Sequence, residues 1–217
     1  ELNTPFDDVI NQKLDILYSA TDAYGLDVAL VIQNDATIEK IHYYLNRWGN
    51  HIRYIQILNE PEFSTGLSIS SIFSDDEIIS KFNTLYDVVK SHNLPAKLYT
   101  NFAIGYFLRS NVPMELSKKL DFVGLDIFMD SFLILSPHLI QNLQQITGKE
   151  VLITEFGMST SDSTVQTAYL LRGLNLFKNM GLTGCWLVYW NSQNDHYGVR
   201  DRSTENALRD WIVQNGN

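Results

Sequence analysis

The chain has 217 residues, 45% of them hydrophobic, and a formal net charge of −9. That length and apolar share suit a single domain with a sizeable core, and the charge argues against nucleic acid, whose phosphates such a surface repels. The lone cysteine, Cys185, excludes an intramolecular disulfide, and no apolar stretch reaches the ~18 residues that span a bilayer.

Residues 5–24 read as a helix, with Phe6, Val9, Ile10, Leu14, Leu17, Tyr18 and Ala20 at three- and four-residue spacing. Asp7 and Asp8 favour its positive end and Gly25 stops it. Residues 26–32 then read as a buried strand, and 35–48 as a helix closed by Gly49. The alternation continues with a strand at 54–58 and a helix at 74–91, for which Ser74 is the N-cap ahead of Asp75, Asp76 and Glu77. Next come a strand at 97–101, a short helix at 103–118, a strand at 122–128 and a helix at 137–147 that starts on a proline. A strand at 150–155, a helix at 163–180 stopped by Gly181, a strand at 184–190 and a helix at 204–214 complete the chain.

Six short, nearly all-apolar strands separated by helix-length crossovers are the pattern of an α/β fold with a parallel sheet covered by helices. No G-x-G-x-x-G follows any strand, which removes the main support for a nucleotide-binding fold. No repeat or low-complexity linker marks a boundary, so the sequence reads as one domain.

Two carboxylates end strands. Asn59-Glu60-Pro61 follows the apolar run 54–58, and Glu155 ends the run 151–154. Catalytic groups gather at strand tips in a β/α barrel, and a pair of carboxylates there is what glycosidic cleavage needs. Asn101, at another strand end, suits either a substrate hydrogen bond or the cap of the next helix. Asp126 suits either a sugar hydroxyl or a basic partner. Trp190 ends the last strand, where a large aromatic can stack on a ligand, whereas Trp186, mid-strand, suits the core. The histidines, His42, His51, His92, His138 and His196, show no metal-ligand spacing, so no zinc site and no cofactor is expected. His196 sits in a polar loop and is either solvated or near a cleft. No G-x-S-x-G elbow supplies a hydrolase serine.

Residues 55–61 resemble the fourth strand of the retaining glycoside hydrolases of clan A, and residues 151–157 resemble their seventh. Family 5, which holds cellulases and mannanases, is the clan's broadest member. The resemblance implies a TIM-type (β/α)8 barrel acting on a β-linked carbohydrate without metal or cofactor. It implies Glu60 as acid/base, Glu155 as nucleophile, Asn59 as a ligand of the sugar 2-hydroxyl and Trp190 as the sugar platform. Gly198-Val199-Arg200-Asp201 is similar to the turn into the last helix. The strands match the third to the eighth of the clan, so the expectation is an incomplete barrel. Strands one and two would come from a separate segment, or two chains would associate through open strand edges, or six strands would close on themselves. Asp126 and Phe128 stand about where family 5 presents histidine and tyrosine. A carbohydrate-binding barrel without catalysis is the alternative. A different TIM-barrel enzyme would need a phosphate grip or a metal. No signal peptide is visible, the compartment stays open, and a polysaccharide substrate would favour an extracellular one.

Overall fold

The computed structural model describes residues 8–62, 74–103, 106–107, 110–128, 130–182, 184–187 and 197–215. The elements run α1 (Asp8–Tyr24), β1 (Val28–Ile32), α2 (Ile38–Trp48), β2 (Ile52–Ile57), α3 (Asp75–Ser91), β3 (Lys97–Tyr99), β4 (Asn101–Ala103), α4 (Val112–Ser117), β5 (Phe122–Ile127), α5 (Asp130–Thr147), β6 (Glu150–Phe156), α6 (Ser163–Asn179), β7 (Cys185–Leu187) and α7 (Ser203–Asn215). This is the α/β alternation of a TIM-type parallel fold, incomplete at seven strands among the described residues. The chain forms two compact units, one from Glu1–Phe102 with Arg109–Phe122, the other from Ala103–Leu108 with Val123–Asn217.

In the first unit, β1, β2 and β3 form a parallel sheet in that order. Ile55 lies opposite both Leu30 and Leu98, and Gln56 opposite both Val31 and Tyr99. The middle strand is therefore the protected one, and Ile55, Gln56 and Ile57 are all buried. β1 is the outer strand, and Ala29 and Val31 on one of its faces stay exposed. Helix α3 begins as its sequence predicts. The Ser74 hydroxyl accepts from the Glu77 N–H while the Glu77 carboxylate accepts from the Ser74 N–H, a capping box that stabilises the first turn by about 1 kcal/mol. Helix α2 starts three residues later than expected, because Thr37 caps it through the Lys40 N–H.

Helix α1 forms, but the apolar stripe read from its sequence buries only in part: Tyr18 is buried and Leu14 half-buried. Val9, Ile10 and Leu17 are exposed, as is Ile16 at 70%; Phe6 lies outside the described residues. The helix is held instead by polar and aromatic contacts. Tyr18 stacks on Trp48 with ring centres 6.1 Å apart, and Asp15 accepts from the Arg47 guanidinium and the Trp48 indole at 2.6 and 2.8 Å.

Three further expectations change. The strand read at 97–101 breaks at Thr100 into β3, paired with β2, and β4, placed in the other sheet. The Thr100 hydroxyl donates to the Ile57 carbonyl at 2.6 Å, a side-chain bond at the point where the strand breaks. The helix read at 103–118 shrinks to α4: Ala103 is strand, Tyr106 closes a turn on the Ala103 carbonyl, and Pro113 sits in the first helical turn, where its missing N–H costs nothing. The helix expected to start at Pro137 begins seven residues earlier, with the proline inside it. A proline there leaves the carbonyl four residues back without its donor. Here that carbonyl belongs to Leu133, and the Ser136 hydroxyl donates to it at 2.8 Å.

The other sheet is ordered β4-β5-β6-β7; β6, β7 and all of β5 but Phe122 belong to the second unit, whereas Asn101 and Phe102 of β4 belong to the first. β6 and β7 run parallel, with Ile153 opposite Cys185 and Phe156 opposite Leu187. Leu125, Ile127, Val151, Ile153 and Phe156 from the strands pack with Tyr169, Leu170, Leu174 and Phe177 of α6. Gly173 is what lets α6 approach β6 so closely. A Cβ there would lie 2.1 Å from the tip of the Phe156 ring. Helix α6 is capped by Asp162, whose carboxylate accepts from the N–H groups of Thr164 and Val165, and Gly181 ends it with φ of +71°.

Candidate active site

In the first unit the chain leaves β2 through a turn with two left-handed residues, Leu58 (φ 68°) and Glu60 (φ 39°). Neither is a glycine, so the conformation costs energy and has to be held by its surroundings. Three buried amide side chains hold it. Asn34, just past β1, donates to the Asn59 carbonyl at 2.7 Å and accepts from the Asn59 N–H at 3.0 Å. Gln56, on β2, directs its amide nitrogen at the Leu58 carbonyl (3.2 Å), the Asn59 side-chain oxygen (2.7 Å) and the Asn101 side-chain oxygen (2.8 Å). Asn101, at the start of β4, accepts from the Glu60 N–H at 2.9 Å and donates to the Asn59 side-chain oxygen at 3.2 Å.

The backbone fixes the polarity of this network. An N–H can only donate, so the atoms of Asn34 and Asn101 that face Asn59 N–H and Glu60 N–H are oxygens. The Gln56 atom facing the Asn101 oxygen and the Leu58 carbonyl is then a nitrogen, and the Asn59 atom facing that nitrogen is an oxygen. Asn59 is left with its amide nitrogen to offer as a donor.

Glu60 itself is half-buried, and burial pushes its carboxyl above the ordinary glutamate range. A carboxyl that holds its proton more tightly is suited to serve as a proton donor. Pro61 and Glu62 follow and are also buried, Glu62 to 3% exposure. The motif reading passed over Glu62 because nothing in its spacing distinguishes it from a loop charge. It passed over Asn34 and Gln56 too. Gln56 did carry a signal: a glutamine between Ile55 and Ile57 in an apolar strand needs a buried partner.

In the second unit Glu155 is the penultimate residue of β6 and half-buried. Its neighbours Thr154 and Phe156 are buried. The Thr154 hydroxyl donates to an Asp126 carboxylate oxygen at 2.8 Å, which ties β6 to β5, and Asp126 is 2% exposed. Phe128, just past β5, meets Tyr197 edge-on with ring centres 5.9 Å apart. Gln166, fully buried on α6, donates to the carbonyls of Met158 and Tyr197 at 3.1 Å and so fixes the chain after β6.

Asn59, Glu60 and Asn101 therefore come together in the first unit, and Asp126 and Glu155 stand on adjacent strands of the second. Trp190 and His196 lie outside the described residues. Burial pushes the Cys185 thiol above its ordinary range. Among the described residues no three His, Cys, Asp or Glu side chains gather as a metal site. His42 and His92, fifty residues apart, do meet, with Nδ1 and Nε2 2.8 Å apart. Among the described residues no helix is long and apolar enough to cross a membrane.

No family model matches the sequence, and no curated protein does. Solved structures do match in fold. A GH128 (subgroup II) endo-β-1,3-glucanase from Sorangium cellulosum is similar over 86% of this chain and 81% of its own, with a TM-score of 0.61 and 14% identity. The cellulose synthase subunit Z of Clostridioides difficile is similar over 90% and 76%, with a TM-score of 0.64 and 10% identity. Bacteroides uniformis β-glucuronidase 2 is similar over 88% of this chain, which spans 26% of that protein, with a TM-score of 0.63 and 17% identity. At such identities the likeness is one of fold, and that fold is TIM-type β/α.

Proposed function

We propose that the chain is a glycoside hydrolase of the clan A type, close to family 5, that cleaves a β-linked oligo- or polysaccharide with retention. The observation that carries this is the position of Glu60 and Glu155, each at the C-terminal end of a parallel strand, β2 and β6. Glycoside hydrolases among the similar folds add support.

On this reading Glu155 attacks the anomeric carbon while Glu60 protonates the leaving oxygen. Glu60, now a carboxylate, takes a proton from water, and that water displaces the sugar from Glu155. The two inversions give net retention, and the reaction requires carboxyl groups ~5–5.5 Å apart. The raised proton affinity of Glu60 suits the first step. Asn59 donates to a sugar hydroxyl and Trp190 carries the ring. Strands from a further segment or a second chain complete the barrel beside β1.

The test is hydrolysis of β-glucan, mannan, xylan and aryl β-glycosides, with the anomer of the first-formed product read by proton NMR. Release of the β-anomer supports the reading. Release of the α-anomer replaces retention by inversion, and saturable binding without turnover replaces the enzyme by a carbohydrate-binding fold.

A further inference from the structure

The turn that carries Glu60 is stabilised from outside the backbone. Its polar groups Leu58 C=O, Asn59 N–H, Asn59 C=O and Glu60 N–H are all bonded to side-chain amides. The three amides come from distant parts of the sequence, and all are deeply buried: Asn34 at 6% exposure, Gln56 at 2% and Asn101 at 0%. Such groups are costly to bury and more costly to leave half-satisfied. Glycine at Leu58 or Glu60 would relieve the left-handed strain without them. The chain instead keeps side chains at both positions and a polar cage around them.

We propose that Gln56, Asn101 and Asn34 are positioning residues for Glu60, a buried amide cage that fixes the direction in which its carboxyl presents a proton. This rests on the reading of Glu60 as the acid/base. Gln56 is the keystone, because its nitrogen is the shared donor for the Leu58 carbonyl and for the side-chain oxygens of Asn59 and Asn101. Asn101 is the direct link, because its oxygen holds the Glu60 N–H. A fully buried Asn101 with both amide atoms so engaged supports a positioning role in place of the substrate contact suggested by its strand-end location.

A misaligned acid/base lowers kcat/KM, which reports formation of the glycosyl-enzyme, mainly for substrates whose leaving group needs a proton. Proximity and orientation effects put the expected loss at about 10²-fold for a displacement near 1 Å. Gln56→Met keeps the length of the side chain and removes its donors. It should lower kcat/KM for methyl β-glucoside or cellobiose about 10²-fold and change 2,4-dinitrophenyl β-glucoside less than about threefold. Asn101→Asp keeps the acceptor for the Glu60 N–H and should retain more of the unactivated rate than Asn101→Ala. Equal losses on both kinds of substrate, or Asn101→Asp no better than Asn101→Ala, overturn the cage.

Glu60→Ala separates the two ideas. If it spares the unactivated substrates, the acid/base assignment fails and takes the cage with it; if it harms them and Gln56→Met does not, the cage alone fails. A second readout works without turnover. In protein carrying 13C-carboxyl glutamate, Gln56→Met should bring the Glu60 titration down as the turn opens to water, and Asn101→Asp should move it up. A titration unchanged in both variants would show that the amides only stabilise the fold.

Discussion

Glu60 and Glu155 both stand near the C-terminal ends of strands, yet their surroundings hold them in different ways. Glu60 lies beyond the last pair of the β2 ladder, on a left-handed turn secured by side-chain amides. Glu155 lies inside β6, where strand geometry sets the direction of its side chain, and α6 packs on the next residue. The first arrangement depends on a polar network whose members are far apart in sequence. The second depends on register and on close apolar packing. Damage to either carboxylate should therefore follow from different substitutions and show different signatures.

The largest effect should come from the reacting group in the regular strand. Glu155→Ala should lower turnover on the order of 10⁴-fold or more. Azide should restore turnover of 2,4-dinitrophenyl glycosides and give the α-glycosyl azide, visible by NMR. Full activity in Glu155→Ala would end the assignment.

The packing behind that strand comes next. Gly173→Ala places a methyl against the Phe156 ring, and α6 has to move. Overpacking of this kind costs about 3 kcal/mol, which for a chain of this size lowers Tm by roughly 6–12 °C. A melting curve that does not shift would mean that β6 is held by its ladder alone.

A smaller effect is expected at the polar tie between β5 and β6. Thr154→Val takes one donor from the buried Asp126 carboxylate and should cost about 1–2 kcal/mol in urea unfolding. The loss should leave the preference between good and poor leaving groups unchanged, unlike the loss from Gln56→Met. A changed preference would place Asp126 in the proton chemistry.

The smallest effect sharpens the contrast from the other side. Burial raises the proton affinity of Glu60 in the folded state above its unfolded value. Below both values the protonated group costs nothing, and stability falls as pH rises through the unfolded pKa toward the folded one. Glu60→Gln should therefore melt with the wild type near pH 3 and above it at pH 7. A variant less stable at pH 7 would show that the ionised carboxylate has a favourable partner. The same raised pKa places the basic limb of kcat/KM above the ordinary glutamate value of about 4.3.

The Ser74 cap of α3 was legible because its partner lies within one turn of sequence. The parallel strands were legible because short apolar runs and helix-length crossovers leave few other arrangements. The helix through Pro137 was not legible, since the hydroxyl that replaces the missing donor at Leu133 is a property of the folded turn. The partial exposure of the α1 stripe was not legible either. Periodicity marks a face that suits burial without naming what covers it.

The sequence by itself determined the α/β alternation, the caps and the two strand-end glutamates, because each is a matter of local spacing and residue type. Tertiary structure alone decided that Asn34, Gln56 and Asn101 close around Glu60, that Thr154 bonds Asp126, and that Gly173 makes room for Phe156. Apart from the short-range bonds of Gln56 to Leu58 and Asn59, the hydrogen bonds among these residues join positions 25 to 45 apart and the Gly173–Phe156 contact joins positions 17 apart, where only the folded chain brings the groups together. Hydrogen bonding and packing act over such distances in space and leave no periodic mark along the chain.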